Sequence, residues 1–405
     1  MYRSQSWANC WSASGHSLKK LDFYYRVRNF LQCSYHLTNV KLVRSSSEKN
    51  IGRGETLYQK HAALKLKRTS PSYIFNEDVA DKIASKIMET RKAKDTPIIE
   101  YNPGPCLLTK KLIKNGAKSV IGIEAKLDFQ PYLQNTKRLF RSKFSFHLWD
   151  PYINVLFDSK RMSNLHTKEK ESFKEIRQKS WCEEPYASIF GILTPSKARY
   201  FISLMINCLG TKESIYSLGR PELFLLVPAR NYKTLNMKFP NTNYLFYRKT
   251  SSVLNLFFDI ELLMELKVSD VFPHFAVPRK FQTPSNSPVT VNKDSIYFIK
   301  IVPKQIRDAI SDSETYAKFL TFLNQVLQKR SSRLIPKMES WLPGSGVHLI
   351  RMGYTMMHLI GEVSPEQYLE LYLELQKWPE FPESSLQAIL IHATPEKDTA
   401  SEESV

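Results

Sequence analysis

Three carboxylates in this 405-residue chain each close a short apolar run, and their order along the sequence is that of a nucleotide-type site. Glu100 follows Ile98 and Ile99, Glu124 ends the run Ser119-Val-Ile-Gly-Ile-Glu, and Asp150 ends Phe144-Ser-Phe-His-Leu-Trp-Asp. Between the first two lies Asn102-Pro-Gly-Pro-Cys106, a turn with a single glycine, Gly104. A strand that delivers an acid, a glycine that lets backbone approach, and a helix whose amino end follows together hold a nucleotide at the carboxyl edge of a parallel sheet. Glu124 lies about two dozen residues beyond the turn, where an acid accepts hydrogen bonds from ribose hydroxyls. Asp150, one strand further, is placed to take the exocyclic amine of an adenine. The set reads as an adenosine-cofactor pocket. Asn102 and Cys106 stand where such loops usually carry glycine, so the pocket has drifted from its pattern.

The elements that must position these residues are legible in the hydrophobic pattern. Asn76 caps a helix with Glu77 and Asp78 in its first turn, and Val79, Ala80, Ile83, Ala84, Ile87 and Met88 form its inward stripe. A second helix runs over about Leu107–Asn115, with Gly116 closing it. Further strands are expected at Tyr186–Leu193, Leu223–Val227, Tyr244–Tyr247 and Ser295–Val302, with an amphipathic helix near Ala198–Cys208. Successive strands that end in acids imply an α/β fold of the doubly wound, Rossmann-like kind. Charge dominates Lys160–Ser180, read as a surface insertion, and Val271–Pro288 is Pro-rich and irregular. Past Pro303 the texture becomes helical. Tyr316, Phe319, Leu320, Leu323, Val326 and Leu327 trace one stripe, and Ser364-Pro-Glu-Gln367 is a capping box with proline at the first helical position. The expected organisation is a leader over 1–47, a basic linker over 48–72, the α/β domain over 73–303, a helical domain over 304–390 and an acidic disordered tail over 391–405.

A formal charge of +19 points to a polyanionic partner. The five cysteines are scattered without a C-x-x-C or Cys/His cluster, which indicates neither a disulfide framework nor a metal site. No apolar run approaches the roughly 18–20 residues that cross a bilayer; even Val253–Val268 carries Asp259, Glu261 and Glu265. Up to Ser47 the basic residues are Arg3, Lys19, Lys20, Arg26, Arg28, Lys41 and Arg44, against the single acid Asp22. Basic, Ser-rich and acid-poor composition describes a mitochondrial import sequence or a disordered basic tail.

The run Glu100-Tyr-Asn-Pro-Gly-Pro-Cys-Leu-Leu-Thr109 resembles the E-x-G-P-G-x-G-x-L-T motif of the rRNA adenine N6-dimethyltransferases. Val120-Ile-Gly-Ile-Glu124 resembles that family's ribose-binding strand, and Trp149-Asp150 its adenine-contacting acid. The likeness covers roughly Tyr73 to Trp378. Asn102 within Asn-Pro-Gly-Pro, the run Ile299-Lys-Ile-Val-Pro-Lys-Gln305 and the leader are similar to the mitochondrial branch. The resemblance implies a Rossmann-like S-adenosylmethionine-dependent methyltransferase domain with a small C-terminal α-helical domain. It assigns S-adenosylmethionine to Glu100, Asn102, Gly104, Glu124 and Asp150.

One departure bears on activity. The family holds its target adenine with an N-L-P-Y loop, where Ile189-Phe-Gly-Ile-Leu-Thr-Pro-Ser196 stands here. Ile192 replaces the amide and no aromatic follows Pro195; Tyr186 or Phe190 is left to supply a ring, and nothing replaces the amide. No catalytic residue is therefore assigned. Cys106 is expected to crowd the methionine portion of the cofactor. Two functions follow from the resemblance. The first is a monomeric transcription initiation factor of the mitochondrial matrix nucleoid that helps the mitochondrial RNA polymerase open promoter DNA, with methyl transfer weak or lost. The second is an active small-subunit rRNA adenine N6-dimethyltransferase. Nucleic acid, promoter DNA or rRNA, is expected to meet Lys197, Arg199, Arg220 and Arg230, together with the basic stretch Lys168–Lys179.

Overall fold

The apolar stripe behind Asn76 folds as helix α1 (Glu77–Thr90), and the Asn76 side chain accepts from the amides of Asp78 and Val79 as a cap should. In this computed structural model the described residues are 71–152, 171–239, 248–274, 292, 294–305, 310 and 312–392. The expected leader over 1–47, nearly all of the linker, the strand Tyr244–Tyr247, the bulk of the Val271–Pro288 stretch and the tail from 393 onward lie outside them.

After strand β1 (Tyr73–Ile74) and α1 come β2 (Ile98–Tyr101), α2 (Leu107–Lys114), β3 (Val120–Glu124), α3 (Gln130–Phe140) and β4 (Phe144–Leu148). Then follow β5 (Ser188–Ile192), α4 (Pro195–Thr211), β6 (Glu222–Pro228), α5 (Ala229–Leu235) and α6 (Lys249–Phe257). Strands β7 (Phe258–Lys267), β8 (Val271–Phe272) and β9 (Ser295–Pro303) complete the α/β part. The main sheet has the order β4-β3-β2-β5-β6-β9-β7. The first five strands are parallel, β9 runs antiparallel to β6, and β7 pairs antiparallel with β9. This is the Rossmann-like methyltransferase architecture. Strand order reverses between β2 and β5, so the crevice for a ligand lies where their carboxyl ends part.

Both sheet faces are covered, which explains the nearly continuous apolar strands. Ile98, Val120, Phe190, Ile192, Phe224 and Phe298 face the layer of α1, α2 and α3. Their alternates Ile99, Ile123, Ile189, Leu225 and Ile299 face α4, α5 and α6. That second core continues into the helices beyond β9, namely α7 (Ser313–Val326), α8 (Leu334–Glu339), α9 (Ser345–Arg351), α10 (Pro365–Leu375) and α11 (Ser385–Ile391). The contact is specific. The Tyr316 ring lies against Gly210, where a methyl group would collide with it, and its hydroxyl donates to the Ile206 carbonyl at 2.8 Å. Ser364 and Gln367 cap α10 reciprocally, as their spacing predicts.

Two segments differ from expectation. The end of the charged insertion is not wholly on the surface: Phe173 and Ile176 are buried in the core, and Ser172 accepts from the Trp149 indole at 3.0 Å. Apolar spacing hidden among lysines and glutamates masked this anchor. The run Val253–Val268 divides at Phe257, half helix and half strand, because the acids that rule out a membrane span fall at the alternating exposed positions of β7. Among the described residues no helix is long and apolar enough to cross a membrane.

Candidate cofactor and transfer site

Strands β2, β3 and β5 deliver their carboxyl ends side by side, since Tyr101 is in register with Ile123 and Glu100 with Phe190. The turn after β2 needs left-handed backbone at three places: Asn102 (φ 56°), Gly104 (φ 53°) and Cys106 (φ 59°). This is why glycine is usual there. Asparagine tolerates the conformation at small cost, and here its Oδ1 also accepts from the Ala125 amide at 3.2 Å. Cys106 is fully buried in the α1–α2 layer, and its Sγ lies 3.6 Å from the Gly104 carbonyl. The thiol is thus part of the core, and burial pushes it up to about 12.

Glu100 is buried beneath α2 and accepts from the Thr109 hydroxyl at 2.6 Å. Burial raises its carboxyl to about 8; the Thr109 bond opposes the rise and the neighbouring Glu124 adds to it. Glu124 has no exposed surface. Its Oε1 accepts from the Tyr73 hydroxyl at 3.1 Å and the Lys126 amide at 2.8 Å, and its Oε2 from the Gly104 amide at 2.9 Å. Burial lifts it to about 7, with the Lys126 and Gly104 amides and the Tyr73 hydroxyl working against that rise.

Asp150 turns the chain beyond β4 by accepting from the Tyr152 amide at 3.0 Å. Its other neighbour is Lys197, whose Nζ lies 3.5 Å from Oδ1 and 4.8 Å above the Tyr152 ring. Tyr152 occupies the space beneath the transfer loop, the stretch 189–196 that stands where the family has its N-L-P-Y loop. It is buried between Tyr101 and Phe201, and its hydroxyl donates to the Ile192 carbonyl at 3.4 Å. Gly191 makes room for it: a Cβ there would lie 2.6 Å from the Tyr152 oxygen.

The rings considered for holding a base are not in the site. Tyr186 is core, donating to the Ile215 carbonyl at 3.0 Å, and Phe190 packs edge-on against Phe298 on the opposite sheet face. The period-2 alternation of β5 sends Phe190 to the face away from Ile189, and the sequence alone did not fix which face met the crevice. Ile192 is itself buried core.

The four expected nucleic-acid cations divide. Lys197 and Arg199 lie in the first turns of α4, and Arg230 in that of α5, all at the carboxyl edge of the sheet. Arg199 and Arg230 are exposed, whereas Lys197 is engaged with Asp150. Arg220 precedes β6 and lies at the other edge, where its guanidinium donates to the carbonyls of Glu183 (2.8 Å) and Pro303 (3.2 Å). It ties segments together and is not part of the same surface. Of the stretch Lys168–Lys179, the described part shows Lys174 and Arg177 exposed.

The family model for ribosomal RNA adenine dimethylase matches residues 64–377, through the sheet and most of the following helices. This chain belongs to the ribosomal RNA adenine dimethylase family. Among similar proteins is the mitochondrial dimethyladenosine transferase 2 of Drosophila melanogaster, 23% identical over 379 residues, which span 82% of this chain and 81% of the relative. The Homo sapiens protein of the same name is 21% identical over 328 residues, 78% of this chain and 79% of its own. A solved dimethyladenosine transferase from Plasmodium falciparum superposes with a TM-score of 0.47 at 11% identity, covering 75% of this chain and 98% of that one.

Membership of this family implies S-adenosylmethionine as methyl donor. Glu100, Gly104, Glu124 and Asp150 stand at the positions the motif requires, and as folded the last two acids have partners from this chain. The carboxylate meant for the ribose is enclosed by Tyr73 and two backbone amides, and the one meant for the adenine faces Lys197. Sequence reasoning missed both Tyr73 and Tyr152. Asp150-Pro-Tyr152 was a readable Asx-turn signal, while Tyr73 looked like a mere domain boundary.

Proposed function

We propose that this family member works as a nucleic-acid-binding factor of the mitochondrial matrix, assisting the mitochondrial RNA polymerase in opening promoter DNA, with methyl transfer weak or lost. The observation that carries this reading is the transfer loop. Ile192 and Leu193, both buried, stand ahead of Thr194-Pro195 where the family's loop carries its amide, and the space beneath the loop holds Tyr152. Methylation of an adenine N6 needs an acceptor that orients the amine and an aromatic face that holds the flipped base. Among the described residues of this loop neither is present, and each loss removes positioning worth kilocalories. The relatives named mitochondrial and the basic, acid-poor first 47 residues support the location. The charge of +19 and the exposed Arg199 and Arg230, on first turns at the same sheet edge, favour a polyanion held by phosphate contacts.

The test pairs two assays on the purified protein. Promoter-dependent RNA synthesis by the mitochondrial polymerase is expected to require it, and a small-subunit rRNA hairpin is expected to gain no dimethyladenosine. Joint replacement Arg199→Ala and Arg230→Ala should weaken binding to single-stranded nucleic acid and reduce its salt slope by about 2. Robust dimethyladenosine formation that collapses in Asp150→Ala would overturn the reading in favour of an active dimethyltransferase. The acids retained at their motif positions are what keep that second reading worth the assay.

A further inference from the structure

The turn amide of Gly104, which would face a ligand in an open pocket, is directed instead at the Glu124 carboxylate, and the opposite side of that carboxylate is met by a phenol from another strand. Tyr73 lies on β1, which pairs antiparallel with β8, Tyr73 opposite Phe272. The Ser72 hydroxyl donates to the Pro273 carbonyl at 2.9 Å and fastens the same pair of segments. From this strap the Tyr73 ring reaches down onto Gly104, so closely that any Cβ on Gly104 would strike it, and packs at 4.6 Å between centroids against Phe129. Its hydroxyl donates to Glu124. A ribose offers a carboxylate two hydroxyl donors and covers it with a flat, mostly apolar ring edge. Tyr73 offers one hydroxyl and an aromatic ring in the same place, the Lys126 amide supplies a second donor, and both partners are essentially without solvent contact.

We propose that Tyr73 is a built-in occupant of the adenosine pocket: the strap of β1 and β8 holds its ring in the ribose seat beside Glu124 and Gly104, and this keeps S-adenosylmethionine out. The proposal rests on the reading that methyl transfer is weak or lost, and it gives that loss a second, separable cause besides the transfer loop. It also accounts for the drift at Asn102 and Cys106, since a turn that meets its own chain has no cofactor to clear. Expulsion of the ring must precede binding, so apparent affinity falls by the fraction of molecules with the strap open. A buried ring with a hydrogen bond to a carboxylate sets that fraction at about one in ten to one in a hundred.

Calorimetric titration of the full-length protein with S-adenosylmethionine and with S-adenosylhomocysteine tests this directly. Wild type is expected to bind neither below millimolar concentration, and Tyr73→Ser to gain about 10- to 100-fold in affinity for both, with a ligand-dependent rise in melting temperature. Tyr73→Leu keeps an apolar side chain on β1 and guards against loss of fold; it should gain affinity in the same direction. Micromolar binding by wild type overturns the proposal, whatever the variants do. So does a folded Tyr73→Ser or Tyr73→Leu protein that binds no better than wild type. The titration contains no polymerase, promoter or RNA, so tight wild-type binding would remove the occupant while leaving the promoter-opening reading intact. Dimethyladenosine formation would remove that reading by a separate measurement.

Discussion

The main sheet buries a glutamate at each of its edges, and the two are kept in opposite ways. At the amino edge Glu222 accepts from Lys300 at 2.9 Å, from the Lys92 amide at 2.9 Å and from Ser188 at 3.2 Å. Lys300 in turn donates to the Thr90 carbonyl at 2.6 Å, and the buried Arg91 beside it braces the loop carbonyls of Ala93 and Thr96. At the carboxyl edge, among the described residues, Glu124 is met by the Tyr73 hydroxyl and by backbone amides, with no cation in hydrogen-bond contact. A buried carboxylate with a counterion is a clasp between strands and helix; one held only by neutral donors is left ready to give up its charge. The first ties β6 and β9 to the loop after α1, and the second lies at the crevice where β2 and β5 part.

This contrast can be broken from either side. The largest effect is expected from Glu222→Ala, which strands Lys300 in the core and should cost about 3–5 kcal/mol in urea unfolding. Pairing Glu222→Gln with Lys300→Met should recover much of it. Next comes pH. Glu100 and Glu124 are raised from 4.5 to about 8 and about 7, so between those limits the native state holds protons that the unfolded chain has released. Stability therefore falls as pH rises through about 5 to 8, by about 3 kcal/mol for a group shifted this far. Melting temperature against pH should show the decline, and Glu124→Gln should flatten it. A stability that climbs over that range would refute the account of the carboxyl edge. The smallest effect is expected from Gly104→Ala. A side chain at φ 53° that also strikes the Tyr73 ring should lose about 2 kcal/mol, most of it regained when Tyr73→Ser is added.

Most of the scaffold was legible because its signals are local. The Asn76 cap, the Ser364–Gln367 box and the buried strands Val120–Glu124 and Ser295–Pro303 each declare themselves within a few residues. The acids of the site were legible for the same reason, since each ends a strand. Their state was not. Whether Glu124 faces a ligand or a phenol depends on Tyr73, 51 positions away, and on a two-residue strand pairing that no periodicity reports. Tyr152 closes the crevice only because Gly191 lies beneath it, a fact of parallel register. Arg220 shows the same limit in reverse: charge is visible in the sequence, but the carbonyls that absorb it come from Glu183 and Pro303.

The seating of Tyr316 on Gly210 has a mechanical meaning. The first helix beyond β9 is keyed to the long helix that starts at the transfer loop, by a ring in a notch and a hydrogen bond, with Phe257 and Phe319 packed behind it. Load applied to the carboxyl-terminal helices is therefore borne by α4, whose opposite end carries Lys197 and Arg199. A force on the carboxyl-terminal helices thus reaches the carboxyl edge of the sheet along the axis of α4.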